Sequence, residues 1–219
     1  RISMKRTIAL IALLSLQACI PVPQNVEMPE EPQDGLPGAL SATVVLADKD
    51  GSFCSGVMSE GFMFTAAHCD TPGMLVHFWD GGKGYWPKGY PVKRVWYDED
   101  QDLAIYSVQG DSLPDGAPLA DSAPLWGRRV VVVGHPRGFV YTVTEGIVSH
   151  PDRIGAMSPL QHWTQISAPV FYGNSGGPAF NSSGEIIGIV SFMMGAPHLA
   201  GIVHISELHA ALERVTHPG

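Results

Sequence analysis

Three residues of this chain have the types and settings needed for nucleophilic acyl transfer: His68, Asp102 and Ser175. A serine hydroxyl is a poor nucleophile at neutral pH, so a nearby imidazole must accept its proton. A carboxylate must in turn hold that imidazole in the right tautomer. His68 closes the segment Thr65-Ala66-Ala67-His68-Cys69, and Asp102 opens the apolar run Asp102-Leu103-Ala104-Ile105. Ser175 sits in Gly173-Asn174-Ser175-Gly176-Gly177-Pro178, a glycine-rich turn that lets the amides of Gly173 and Ser175 converge on one point. Two such donors are what a developing oxyanion requires.

The three motifs, their order His–Asp–Ser and the cysteines bracketing the histidine resemble the chymotrypsin-like (trypsin-like) serine peptidases. Order matters, because subtilisins and α/β-hydrolases arrange the same residue types differently. The segment Thr142–Ser149, following Gly134-His135-Pro136, is similar to the bacterial high-temperature-requirement branch, with no PDZ domain expected after residue 219. The resemblance covers about residues 40–215. It implies His68 as general base and then acid, Asp102 as its orienter and Ser175 as nucleophile, and it implies a Cys54–Cys69 disulfide. It also implies that Ser191 lies on the strand that pairs with the substrate backbone. The resemblance further implies a pocket base at Pro169, six positions before the nucleophile, with Val170, Phe171, Tyr172, Phe192, Met193 and Gly201 around it. These residues carry no charge, and a buried Arg or Lys side chain would stand unpaired there. The expectation is an endopeptidase acting on exported or misfolded polypeptides, with a preference for small or medium apolar side chains. Asn174 stands where animal members of the family carry an aspartate that pairs with a newly cut amino terminus, so activation by that route is not expected.

Competing readings exist for each residue. Ser175 alone would read as a turn serine. Asp98, Glu99 and Asp100 compete with Asp102 but read as a solvated acidic turn. Gly173-x-Ser175-x-Gly177 also fits the nucleophile elbow of α/β-hydrolases, yet that fold needs a helix directly after the serine and a later acid before its histidine. Gly-Gly-Pro-Ala-Phe starts a helix poorly, and no Asp follows Ser175. A pseudo-peptidase that binds polypeptides without cutting them, and an esterase on the same scaffold, stand as functional alternatives. The other eight of the nine histidines show no HExxH or paired Cys/His spacing, so neither a metal site nor a cofactor is expected.

These residues must be positioned by strands. The 219 residues are 45% hydrophobic and include 25 Gly and 18 Pro, with almost no long helical periodicity, which points to an all-β fold. Strands are expected at 43–47, 53–58, 62–65, 75–78, 92–97 and 103–108. A connection follows over 109–127, then strands at 129–133, 142–149, 164–167, 178–180, 186–192 and 202–204. A short C-terminal helix is expected over Ser206–Val215, with Ser206 as N-cap. Six strands, a connection and six more suggest two six-stranded antiparallel β-barrels of the chymotrypsin type, the first over 39–108 and the second over 128–219.

The amino-terminal stretch reads as a targeting segment. Met4-Lys5-Arg6 is basic, and Ile8–Leu16 is apolar but too short to span a bilayer. Residues 1–18 resemble a bacterial lipoprotein signal peptide, which implies lipid on Cys19 and attachment to the cell envelope facing the periplasm; secretion is the alternative. If Cys19 carries lipid, Cys54 and Cys69 are the two of three cysteines left to pair. Residues 19–38 read as a proline-rich linker, and 39–219 as the peptidase domain. Net charge is −8; removing Arg1, Lys5 and Arg6 from 13 basic residues leaves 10 against 21 acidic, a balance of −11. Such a chain repels phosphate backbones, so nucleic acid is not an expected partner.

Overall fold

Apolar runs such as Leu103-Ala104-Ile105-Tyr106 and Val130-Val131-Val132-Val133 must bury both faces, and the architecture does this with two closed barrels and a shared layer between them. The computed structural model describes residues 36–48, 51, 53–79, 88–111, 113–155 and 160–217. The expected signal segment 1–18, Cys19 and the expected linker as far as residue 35 lie outside the described residues.

A short helix α1 (Leu36–Ala42) leads into the first barrel. That barrel comprises β1 (Thr43–Ala47), β2 (Phe53–Ser59), β3 (Phe62–Thr65), β4 (Leu75–His77), β5 (Tyr90–Asp98) and β6 (Leu103–Val108). They close in the order β1-β2-β3-β6-β5-β4, all antiparallel. The second barrel comprises β7 (Arg129–Gly134), β8 (Thr142–Ile154), β9 (His162–Ile166), β10 (Pro178–Phe180), β11 (Ile186–Met193) and β12 (Ala200–His204). It closes in the order β10-β11-β12-β9-β8-β7, and helix α2 (Ile205–Thr216) ends the chain's structure.

Alternation along each strand divides the core into three. Val44, Leu46, Met58, Met63, Ala104 and Tyr106 fill the first barrel. Val130, Val132, Val148, Ile187, Val190 and Ile202 fill the second. Their neighbours in sequence point the other way: Val57, Phe64, Leu103 and Ile105 meet Val133, Phe180, Ile189 and Val203 in a layer that also takes Ala39 of α1 and Leu208 of α2. The connection is tied to both barrels, with the Ala117 amide donating to Met58 and the Ala120 amide to Ile186, each at 2.9 Å.

Three details differ from the sequence expectation. Helix α1 begins at Leu36, inside the stretch read as linker, because Ala39 and Ala42 are buried against the shared layer. Strand β8 runs on to Ile154 through Pro151, which is accommodated where the β8–β9 register shifts between His150 and Arg153. The cap of α2 is His204, not Ser206: its ring accepts a hydrogen bond from the Ser206 amide.

Candidate active site

Strand pairing brings the His68 and Asp102 segments together. β3 and β6 pair with Thr65 opposite Ala104, so the end of one strand and the start of the other emerge side by side. A single 3-10 turn, Ala67–Cys69, then presents His68, and the bond from Cys69 to Cys54 on β2 ties that turn to the barrel wall. Asp102 ends a turn in which Asp98 accepts from the Gln101 amide, and its own φ is +49°, an unusual conformation for a non-glycine residue. The Asp102 carboxylate points at the histidine. His68 Nδ1 lies 2.8 Å from Oδ2 and 3.0 Å from Oδ1, and the His68 backbone N–H donates to Oδ1 at 2.9 Å. Nδ1–H is therefore the donor, which leaves Nε2 as the basic nitrogen. The imidazole is 48% exposed, against 13% for the carboxylate, so the ring is open to solvent while the carboxylate is shielded.

Ser191, on β11, closes the carboxylate's remaining side. Its hydroxyl donates to Asp102 Oδ2 at 2.5 Å. Sequence reasoning placed Ser191 beside the substrate backbone and missed this contact; the signal was a hydroxyl inside the apolar run Ile189-Val190-Ser191-Phe192, because a buried polar group needs a partner.

Ser175 lies in the loop between β9 and β10, clamped by the first barrel. The Ser55 amide donates to the Ser175 carbonyl at 2.8 Å, and the Ser55 hydroxyl donates to the Gly173 carbonyl at 2.7 Å. Thr65 Oγ1 donates to the Ser55 carbonyl at 2.8 Å. Glycine is required at Gly176, where φ is +79° and a Cβ would strike Thr65 and the Ser55 carbonyl. Gly173 has φ +102°, and a Cβ there would strike the His135 carbonyl. The Tyr172 carbonyl accepts from the Arg137 amide at 2.8 Å. Across a trans peptide the N–H points opposite the C=O, so this bond turns the Gly173 N–H away from the Arg137 loop. Among the described residues neither the Gly173 nor the Ser175 amide donates to another protein group.

His68 and Ser175 line one cavity of about 350 Å³ together with Val170, Phe171, Tyr172, Val190, Ser191, Phe192 and Met193. Among the described residues no hydrogen bond joins the Ser175 hydroxyl to His68; the two share the cavity wall. Two expected pocket residues lie outside that lining. Pro169 is exposed, and its carbonyl takes the Thr144 hydroxyl at 2.7 Å. Gly201 is buried directly behind Phe192, whose ring a Cβ at Gly201 would strike. The Phe192 ring is braced edge-on by Trp163 at 5.1 Å. Asn174 is 1% exposed, and among the described residues its Oδ1 has no hydrogen-bond partner.

The trypsin-like peptidase domain family matches residues 51–189, which hold His68, Asp102 and Ser175 but stop short of Ser191, Phe192 and Met193 on β11. The chain belongs to that family. Curated relatives include a "Probable periplasmic serine endoprotease DegP-like" of Marinomonas sp., 34% identical over 136 residues, covering 62% of this chain and 28% of the relative. A protein of the same description from Hahella chejuensis is 43% identical over 101 residues, covering 46% of this chain and 21% of the relative. This trypsin-like chain thus spans under a third of the length of either relative. Among solved structures, the serine endoprotease from Yersinia pestis superposes with a TM-score of 0.71 at 24% identity, covering 86% of this chain and 68% of that one. That likeness establishes the two-barrel fold.

Proposed function

We propose that this trypsin-like domain is a serine endopeptidase that hydrolyses peptide bonds of exported or misfolded proteins through an acyl-enzyme on Ser175. The observation that carries the reading is the His68–Asp102 pair at 2.8 Å opening onto the cavity that also holds Ser175. His68 Nε2 takes the hydroxyl proton as Ser175 Oγ bonds to the scissile carbonyl carbon, and Asp102 stabilises the imidazolium that forms. The Gly173 and Ser175 amides receive the oxyanion. The same proton then goes to the leaving amine, and water attacks the ester with His68 again as base. The names of the Marinomonas and Hahella relatives support a periplasmic setting. The domain order proposed is a signal peptide over 1–18, a tether over 19–38 with lipid on Cys19, and the peptidase domain over 39–219.

The wall of Val170, Phe171, Tyr172, Phe192 and Met193 supports acceptance of small or medium apolar side chains before the scissile bond. Peptides with Val, Ala or Leu at that position should be cut in preference to those with Arg; the reverse order overturns this specificity. The activity itself is tested by a fluorophosphonate probe and mass spectrometry of the adduct. The expected result is labelling of Ser175 that vanishes in His68→Ala. A folded protein that stays unlabelled refutes the peptidase reading and leaves a polypeptide-binding one. Faster turnover of esters with no peptide cleavage would assign an esterase instead.

A further inference from the structure

A cation stands at the rim of the Ser175 cavity. Arg137 lies in the connection between β7 and β8, and among the described residues no carboxylate pairs with its exposed guanidinium. The guanidinium carbon sits 4.6 Å from the centre of the Phe171 ring, and Phe171 lines the cavity. The Arg137 amide holds the Tyr172 carbonyl at 2.8 Å, so backbone and side chain both grip the Phe171-Tyr172 pair. Arg137 has φ +52°, a left-handed conformation that Gly or Asn adopts with less strain. The turn itself gains nothing from an arginine there; what the residue adds is a permanent positive charge.

The residues around Ser175 set the course of a bound chain. β11 lies on one side of the Ser175 loop, where the Gly176 amide donates to the Val190 carbonyl at 2.7 Å and the Val190 amide to the Gly177 carbonyl at 2.8 Å. The start of β2 lies on the other, where the Ser55 amide holds the Ser175 carbonyl and Cys54 is bonded to Cys69 beside His68. Phe53 heads that strand. A Cβ at Gly138 would come within 3.9 Å of the Phe53 ring, so the Arg137-Gly138 turn and β2 face each other. A substrate whose acyl part lies along β11 and whose leaving amine meets His68 must run out between Phe53 and Arg137. Side chains of an extended chain alternate. The residue before the scissile bond enters the cavity, the first residue after it points toward the first barrel, and the second points back toward Arg137 and Tyr172.

We propose that Arg137 selects an acidic residue, Asp or Glu, at the second position after the scissile bond. Stacked on Phe171, the planar guanidinium keeps its edge N–H donors open to a carboxylate. The ring also holds the side chain in place, so less rotamer freedom is lost when the pair forms. Tyr172, 72% exposed, offers apolar surface to the stem of the acidic side chain. A lysine at the same position would meet a like charge, so the arginine discriminates by repulsion as well. The inference rests on the peptidase reading and adds charge selection beyond the bond to the apolar pocket before it.

The test uses the untagged full chain and internally quenched peptides, identical except for Glu, Gln or Lys two residues after a scissile Val-Ala bond. The Glu peptide should be cut about 5-fold more efficiently than the Gln peptide, with the Lys peptide the poorest. The difference should lie in KM, because the ion pair exists before and during the reaction alike. In Arg137→Gln the Glu and Gln peptides should come within about twofold of each other, and in Arg137→Glu the Lys peptide should become the best. Arg137→Lys should keep the order with a smaller spread, since a point charge replaces the planar fork. Each ratio is taken within one protein, so a change in overall rate cancels. Equal efficiencies for all three peptides in the parent, or a Glu preference that survives Arg137→Glu, overturn the proposal. The same peptides titrated into Ser175→Ala by fluorescence anisotropy should bind in the order Glu, Gln, Lys. If the parent cuts none of them, the peptidase reading has failed, and this binding order alone decides for or against Arg137.

Discussion

Asp102 is held from three directions: the His68 ring, the His68 backbone amide and the Ser191 hydroxyl. Hydrogen bonds to charged groups contribute about 1.5–3 kcal/mol each. Ser191→Ala removes one of the three while leaving the cavity's shape almost unchanged. A loosened carboxylate orients the imidazole less well, a deficit felt when the imidazolium forms rather than when substrate binds. Steady-state kinetics on an apolar peptide should therefore show kcat lowered roughly 10-fold with KM little changed. A rise in KM at constant kcat would instead assign Ser191 to substrate binding alone. At this scale the sequence showed His68, Asp102 and Ser175 because each stands in a short local motif. The Ser191–Asp102 bond joins residues 89 positions apart, and the Arg137–Phe171 stack joins two separate loops, so neither has a local signature.

The connection between β7 and β8 also holds the Ser175 loop. His135 in that connection is fully buried. Its Nε2–H donates to the Val44 carbonyl of the first barrel at 3.0 Å, and its Nδ1 accepts from the Tyr141 amide at 2.9 Å. Two residues on, the Arg137 amide holds the Tyr172 carbonyl and with it the orientation of the Gly173 amide. Burial pushes the His135 ring down to about 4 from its ordinary 6.5. The unfolded chain therefore binds a proton that the folded one refuses between those values. Stability from this group is full above about pH 6.5, falls as pH drops toward 4, and is gone below it, a loss of about 3 kcal/mol. His135→Gln keeps a donor for Val44 but cannot titrate. In urea unfolding it should be less stable than the parent at pH 7.5 and lose less stability on going to pH 5. Parallel pH profiles for the two proteins would exclude His135 as the group responsible. Strand positions were legible from apolar runs between turn residues, to within a few residues at most ends. The α1 helix was not, because its seven residues owe their form to burial of Ala39 and Ala42 rather than to any periodicity of their own.

Over the whole molecule the two barrels are coupled by the layer that lies between them. Each has its own interior, yet Phe64, Leu103 and Ile105 of one and Val133, Phe180 and Ile189 of the other bury their outward faces in this shared layer, with residues of α1, α2 and the connection. The residues of the candidate site divide along that seam, with His68 and Asp102 from the first barrel and Ser175 and Ser191 from the second. The site exists only when the barrels are docked, and bonds such as Ser55 to Gly173 cross the same seam. The two-barrel plan was readable from six apolar runs, a connection and six more; the double burial of β6 and β7 in the shared layer fits it. Which apolar residues face inward and which face the seam was not readable, because both faces are equally hydrophobic. Leu103 is wholly buried and immediately follows Asp102, so truncating it perturbs the seam rather than either interior. Leu103→Ala should cost about 2–5 kcal/mol. Because the layer belongs to both barrels, that loss should appear in one cooperative transition. Tryptophan fluorescence, to which Trp96 of the first barrel and Trp163 of the second contribute among five tryptophans, should coincide with far-UV circular dichroism in the variant as in the parent. Two separated transitions in Leu103→Ala would show that each barrel's interior suffices to hold it folded. In that event the seam would govern assembly of the site without governing stability, and activity would be lost at lower denaturant than either barrel's structure.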